Sequence, residues 1–207
     1  RSKRGEQIML SAHDDHFYYW ANEIPDYICD HIIKIGTDHE TFEARTLGGS
    51  EDSTEQEKLN KKVRNSSVAW INNRWIVGMV YSYVRMANGE MFNYHIKSAQ
   101  EFSHIQFTTY DKDGHYDWHQ DNGSKSDGRL EMYRKLSVIV QLSDKKSYNG
   151  GAFEIKSVTG EPLNVPENAL NRGSVIVFPS YLEHRVAPVT SGVRHSLVSW
   201  YHGDPFK

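Results

Sequence analysis

The chain has 207 residues, 25% of them charged, and a net charge of −3. That length suits one domain with a sizeable core. The charge gives no basic field for nucleic acid, and no apolar run reaches the roughly 18 residues of a membrane span. The single cysteine, Cys29, excludes an intramolecular disulfide and fits a reducing, cytoplasmic setting.

Residues 1–16 are polar. Phe17 to Gly36 reads as a strand followed by a helix: Pro25-Asp26 is a helix-start signal, Ile28, Ile32, Ile33 and Ile35 give an apolar face, and Gly36 marks the end. Residues 48–66 are charged and poor in apolar side chains, as in an exposed loop or a cover over a substrate. Across Arg64 to Met86, the spacing of Val68, Ile71, Trp75, Met79 and Val80 favours a helix. From Met91 the pattern turns to short β segments at 91–97, 103–110, 135–142, 152–157, 174–178, 184–189 and 193–201. The expected fold is therefore mainly β with N-terminal helices: a jelly roll over 91–207, supported by a helical region over 1–90, all in one domain.

Chemistry concentrates in two segments about 65 residues apart, the distance from His119 to His184. The first reads Tyr110-Asp-Lys-Asp-Gly-His-Tyr-Asp-Trp-His-Gln-Asp121; the second runs from His184 to Ser196 and includes Arg194. Two imidazoles and one carboxylate on one face of a metal are the ligand set of a non-haem Fe(II) oxygenase. An arginine nearby can fork onto the carboxylate of a 2-oxo acid. Four His-x-Asp triplets occur, at His13, His115, His119 and His202, more than this composition gives by chance. In an extended segment His115, Asp117, His119 and Asp121 would share one face, so spacing alone leaves the register open. On the last strand the same period puts Arg194, Ser196, Val198 and Trp200 together. An arginine turned into a β core is costly unless paired, and a bound dicarboxylate is a natural partner.

These residues resemble the 2-oxoglutarate/Fe(II) dioxygenase superfamily, and within it the prolyl 4-hydroxylase-like branch with its small bacterial and phage forms. Tyr110 stands nine residues before His119 and Tyr116 three before it; Arg134 heads a strand; Gly150-Gly151 opens another; Gly173 to Pro179, His184, Arg194 and Trp200 follow. The resemblance runs from Phe102 to Trp200. It implies a double-stranded β-helix with iron held by His119, Asp121 and His184. It further implies that Arg194, with Tyr110 and Ser196, holds 2-oxoglutarate, and that Tyr116, Arg134 and Trp200 hold the substrate. The implied requirements are Fe(II), 2-oxoglutarate and O2, with ascorbate as reductant and succinate and CO2 released. The implied partner is a proline-containing peptide or protein, with no membrane and no nucleic acid. Two positions depart from the branch. Arg194 stands where many prolyl 4-hydroxylases carry lysine, and Phe153 where they carry a small hydroxyl residue; both bear on the substrate more than on the cofactor. A free amino acid, a small metabolite or a nucleobase is the alternative substrate, and a non-catalytic metal-binding jelly roll the alternative class.

Overall fold

A computed structural model describes residues 11–13, 16–44, 62–96, 104–121 and 133–204. The strands are β1 (Ser11–His13), β2 (Tyr18–Trp20), β3 (Phe42–Glu43), β4 (Arg64–Asn65), β5 (Ser67–Ile71), β6 (Ile105–Tyr110), β7 (His115–His119), β8 (Tyr133–Gln141), β9 (Tyr148–Gly150), β10 (Phe153–Ile155), β11 (Val175–Pro179), β12 (His184–Val186), β13 (Val189–Gly192) and β14 (Arg194–Gly203). Helices α1 (Asp26–Asp38) and α2 (Arg74–Ala87) complete the framework.

Eight strands form the major sheet, in the order β1-β2-β11-β8-β14-β6-β5-β3, and four form the minor sheet, β10-β12-β7-β4. Every ladder is antiparallel. The expected jelly roll follows from strict alternation. Leu136, Val138 and Val140 of β8, Val175 and Val177 of β11, and Leu197 and Tyr201 of β14 point outward into one core with Ile32 of α1 and Ile76, Val80 and Val84 of α2. Their neighbours Ile139, Ile176 and Phe178 point inward and meet Phe153 and Ile155 of the minor sheet. The helices thus seal one face of the major sheet, and the minor sheet covers the other.

Four local expectations are corrected. Gly36 does not end α1, which runs on to Asp38. A Cβ at Gly36 would lie 2.4 Å from the ring of Phe107, so glycine is there to let α1 press onto β6. Arg64 to Met86 is not one helix: β4 and β5 precede α2, which starts after Asn73, whose side chain accepts from the Trp75 amide at 3.3 Å. Val68 and Ile71 mimic helical spacing because both faces of β5 are covered and both residues are buried. Of the strand expected over 91–97, the described residues 91–96 form none; the helix continues as a π turn, Asn88–Phe92, closed by Asn93 at φ 51°. Alternation of Phe92, Tyr94 and Ile96 there reflects packing against the core outside any strand. Conversely β7 was not legible as a strand, because its side chains are polar and half-exposed. Of the loop expected over 48–66, residues 48–61 lie outside the described residues. Among the described residues no helix is long and apolar enough to cross a membrane.

Candidate active site

Strands β7 and β12 set His119 directly opposite His184. Between that pair and the next, Val186 opposite Tyr116, β7 spends three residues where β12 spends two. This bulge breaks the period of two, as an extra residue in one strand must. It turns Tyr116 and His119 to the same side, with ring centroids 3.4 Å apart and planes 13° apart. His115 and Asp117 are left pointing elsewhere. Both His115 nitrogens are taken by backbone carbonyls, of Asp113 and Lys62, each at 2.9 Å, and Asp117 is exposed and caps the Trp118 amide at 2.8 Å. A shared face for His115, Asp117, His119 and Asp121 therefore fails, for a geometric reason.

Each paired histidine bonds the carbonyl two residues before it. His119 Nδ1 lies 2.7 Å from the Asp117 oxygen, and His184 Nδ1 lies 2.9 Å from the Leu182 oxygen. A carbonyl only accepts, so both Nδ1 atoms carry a proton, and Nε2 is the nitrogen each ring turns to Asp121 and could offer to a metal. Those Nε2 atoms approach Asp121, at 3.6 Å from Oδ1 for His119 and 3.3 Å from Oδ2 for His184. One donor atom from each of the three residues fits within 4.8 Å of the others, a spacing that can hold a metal ion. Asp121 follows β7 directly. Its amide donates to the Ser180 carbonyl at 2.9 Å, and its Oδ2 accepts from Ser137 Oγ at 2.7 Å; Ser180 Oγ lies 2.9 Å from that hydroxyl. Burial pushes the Asp121 carboxyl up, but the adjacent His184 and His119 rings and the Ser137 hydroxyl outweigh it and hold the group below the usual carboxylate range. Burial, with the His184 ring adding to it, pushes His119 down to about 3. A charged carboxylate and a neutral imidazole are the protonation states in which such groups bind a divalent metal.

The three groups open into a cavity of about 440 Å³ between the sheets. Its closed end is made by neighbouring strands of the major sheet, where Arg194 stands opposite Tyr110 and Ser196 opposite Gln141. Arg194 is 1% exposed. It donates to Gln141 Oε1 at 2.8 Å and to Ser196 Oγ at 3.4 Å, and lies 5.3 Å from the Tyr110 ring centroid. Among the described residues it forms no ion pair, and its Nε and the Nε2 of Gln141 are buried without a partner. Gly151 makes room for this arginine, since a Cβ there would lie 3.1 Å from Arg194 Cδ, and its φ of +60° suits glycine.

At the open end, Arg134 stacks over Trp200 at 4.2 Å, and Trp70 tilts against Trp200 at 6.4 Å. Arg64 sits over the Tyr116 ring at 4.5 Å. Burial, only partly countered by Arg64, pushes the Tyr116 hydroxyl up to about 12, so it stays a proton donor. Val198 and Trp200 join Arg194 and Ser196 in lining the cavity, as the period of β14 requires. All nine candidate residues, His119, Asp121, His184, Arg194, Tyr110, Ser196, Tyr116, Arg134 and Trp200, line this one cavity. Sequence reading missed Arg64, Gln141 and Ser137. Gln141 and Ser137 carried a usable signal, as polar side chains at alternate positions in an apolar strand; Arg64, at the end of a charged loop, carried none.

Residues 105–202 match the family described as the 2OG-Fe(II) oxygenase superfamily. A PKHD-type hydroxylase of Synechococcus sp. (strain CC9311) is 38% identical over 91 residues, which are 44% of this chain and 37% of that protein. The chain thus spans less than half the length of such relatives. A prolyl-4-hydroxylase of Pseudomonas putida shares the fold at TM-score 0.65 and 18% identity, over 92% of this chain and 94% of that one. A Trichoplax adhaerens prolyl hydroxylase in complex with a hypoxia-inducible-factor peptide fragment does so at TM-score 0.67 and 16% identity, over 90% and 83%. Residues 105–202 of this chain thus match the 2OG-Fe(II) oxygenase superfamily, and its fold is similar to that of prolyl hydroxylases.

Proposed function

We propose that the chain is a 2-oxoglutarate- and Fe(II)-dependent dioxygenase that hydroxylates proline in a peptide or protein. One observation carries this reading. A buried guanidinium, with no carboxylate beside it among the described residues, closes the cavity whose wall holds two imidazole nitrogens and a carboxylate. Uncompensated, a buried charge is costly. A dicarboxylate that also reaches the metal relieves that cost, and 2-oxoglutarate has that form.

The residues present fit both groups. His119, Asp121 and His184 would hold iron, a set that suits Fe(II) and leaves positions open for co-substrate and dioxygen. Arg194 would grip the distal carboxylate through its fork, with Tyr110 and Ser196 donating beside it. When bound, iron and 2-oxoglutarate supply the oxidising power, releasing succinate and CO2 as a C–H bond becomes C–OH. The protein positions and shields. The Ser137 hydroxyl and the Ser180 carbonyl orient Asp121, and the carbonyls of Asp117 and Leu182 hold the two imidazoles in the ligating tautomer. Ile139, Val186 and Val198 give the cavity apolar walls. Trp200 and Tyr116 offer flat faces that suit a proline ring, and Arg134 can reach a peptide carbonyl next to it.

A peptide substrate is supported by the Trichoplax neighbour, which is in complex with one. Ascorbate would serve only to keep iron reduced. The test is succinate release with Fe(II) and 2-oxoglutarate, followed by a screen of prolyl peptides against free amino acids and nucleotides. Peptide-stimulated release with one added oxygen on proline is the expected result. No succinate under any condition would favour a binding module; stimulation by a free amino acid alone would move the substrate but keep the reaction.

A further inference from the structure

Among the described residues three guanidinium groups line the cavity, those of Arg64, Arg134 and Arg194, against one carboxylate, Asp121. Loading does not cancel this excess, because Fe(II) brings two positive charges and 2-oxoglutarate two negative ones. With Arg194 occupied by the co-substrate, the surplus is left at the open end, on Arg64 and Arg134.

Neither residue is an ordinary solvated charge. Arg64 is 8% exposed and Arg134 half-buried. Arg64 stands opposite Tyr116 across the β4–β7 ladder, its Nε donates to Ser66 Oγ at 3.0 Å, and its Cζ lies 4.5 Å from the Tyr116 ring centroid. Arg134 rests on Trp200 and reaches only a backbone oxygen, that of Asp121 at 3.4 Å. Neither forms an ion pair with a described carboxylate. Both are near enough to the Tyr116 hydroxyl to oppose the upward push of its burial. Stacking satisfies the flat faces of the two guanidiniums and leaves the N–H edges to be matched, and a planar carboxylate is the group those edges fit.

We propose that the substrate brings a carboxylate to the cavity mouth, where Arg64 and Arg134 receive it beside Tyr116. This deepens the reading above and rests on it for the location of the reacting carbon. The carboxylate can be the side chain of an Asp or Glu adjoining the target residue, or the main-chain carboxylate of a terminal or free residue.

Binding without turnover tests this. The full chain is loaded with Mn(II) and 2-oxoglutarate in the absence of oxygen, and quenching of tryptophan fluorescence is followed for three matched pairs. Acetyl-Pro-Asp-amide against acetyl-Pro-Asn-amide probes the side-chain source. N-acetylproline against N-acetylprolinamide probes the main-chain source. N-acetylglycine against N-acetylglycinamide probes the anion without the ring. The expected result is that the acid of at least one prolyl pair binds about tenfold or more tighter than its amide, as hydrogen bonds to a charged group imply. That preference should vanish in Arg64→Gln and persist in part in Arg64→Lys. Equal affinity within all three pairs overturns the proposal, even if prolyl probes bind well. A preference confined to the glycine pair keeps the anion site and overturns the proline reading. Should Arg64→Gln lose metal or fail to fold, Arg134→Gln supplies the same comparison.

Discussion

The two ends of the cavity are built by different means. At the closed end Arg194, Tyr110, Gln141 and Ser196 come from β14, β6 and β8, strands in the middle of the major sheet, and their positions are fixed by ladder register and by hydrogen bonds of 2.8 and 3.4 Å to the guanidinium. At the open end Arg64, from a two-residue strand on the edge of the minor sheet, stacks on Tyr116, and Arg134 of β8 stacks on Trp200 of β14. Directional bonds would suit a site that always takes the same small dicarboxylate. Flat contacts would suit one whose ligand varies, because stacking tolerates lateral shifts that a hydrogen bond does not. The candidate metal ligands His119, Asp121 and His184 lie between, beside the bulge in the β7–β12 ladder.

The largest expected effect removes the boundary itself. His184→Ala should lower metal affinity by more than the roughly 10- to 100-fold that loss of a supporting hydrogen bond costs, and succinate release should fall to background. Metal stoichiometry after gel filtration checks it. Next comes the closed end. Arg194→Ala should raise the 2-oxoglutarate requirement by about 30- to 1000-fold, the cost of removing one partner of a desolvated charge pair, while iron is still bound. Unchanged 2-oxoglutarate affinity in a folded variant would sink the assignment and with it the contrast between the ends. A smaller effect is expected from Ser137→Ala. It strips Asp121 of its 2.7 Å hydroxyl donor and should weaken the metal by about 10- to 100-fold, measured by competition with a chelator, with little change in 2-oxoglutarate binding once metal saturates.

How much of this was legible in the sequence follows the same division. The closed end could be read, because β14 and β8 alternate strictly and an arginine at an inward position of a β strand demands a partner. The grouping of His119, Asp121 and His184 was legible from the family resemblance but not from periodicity: a face shared by His115, Asp117, His119 and Asp121 presumes an unbroken strand, and the bulge in β7 invalidates it. Arg64 was not legible at all. Its place over Tyr116 depends on a non-local pairing of β4 with β7, and nothing near it in sequence announces a strand. The errors in the supporting region have a comparable origin. Val68 and Ile71 are buried on both faces of β5 and so lose the alternation that marks a strand, and Phe92, Tyr94 and Ile96 alternate outside any strand.

The smallest effect tests the open end with least disturbance. Trp200 lines the cavity, with Arg134 stacked on it, and its indole Nε1 is buried without a hydrogen-bond partner. A buried donor left unpaired is unfavourable, and a peptide carbonyl on the substrate would satisfy it. Trp200→Phe keeps an apolar face for a proline ring and for Arg134 and removes only the N–H. If the substrate accepts that hydrogen bond, the variant should lose about 2- to 10-fold in kcat/KM for a prolyl peptide, the net worth of one hydrogen bond, with the 2-oxoglutarate KM unmoved. Trp200→Ala, which also removes the face, should lose more, and should uncouple 2-oxoglutarate consumption from peptide hydroxylation rather than lower both together. If Trp200 only packs, both variants would instead show a lower Tm and an equal fall in the two activities, and the substrate would have to be sought on the Arg64 and Tyr116 side alone.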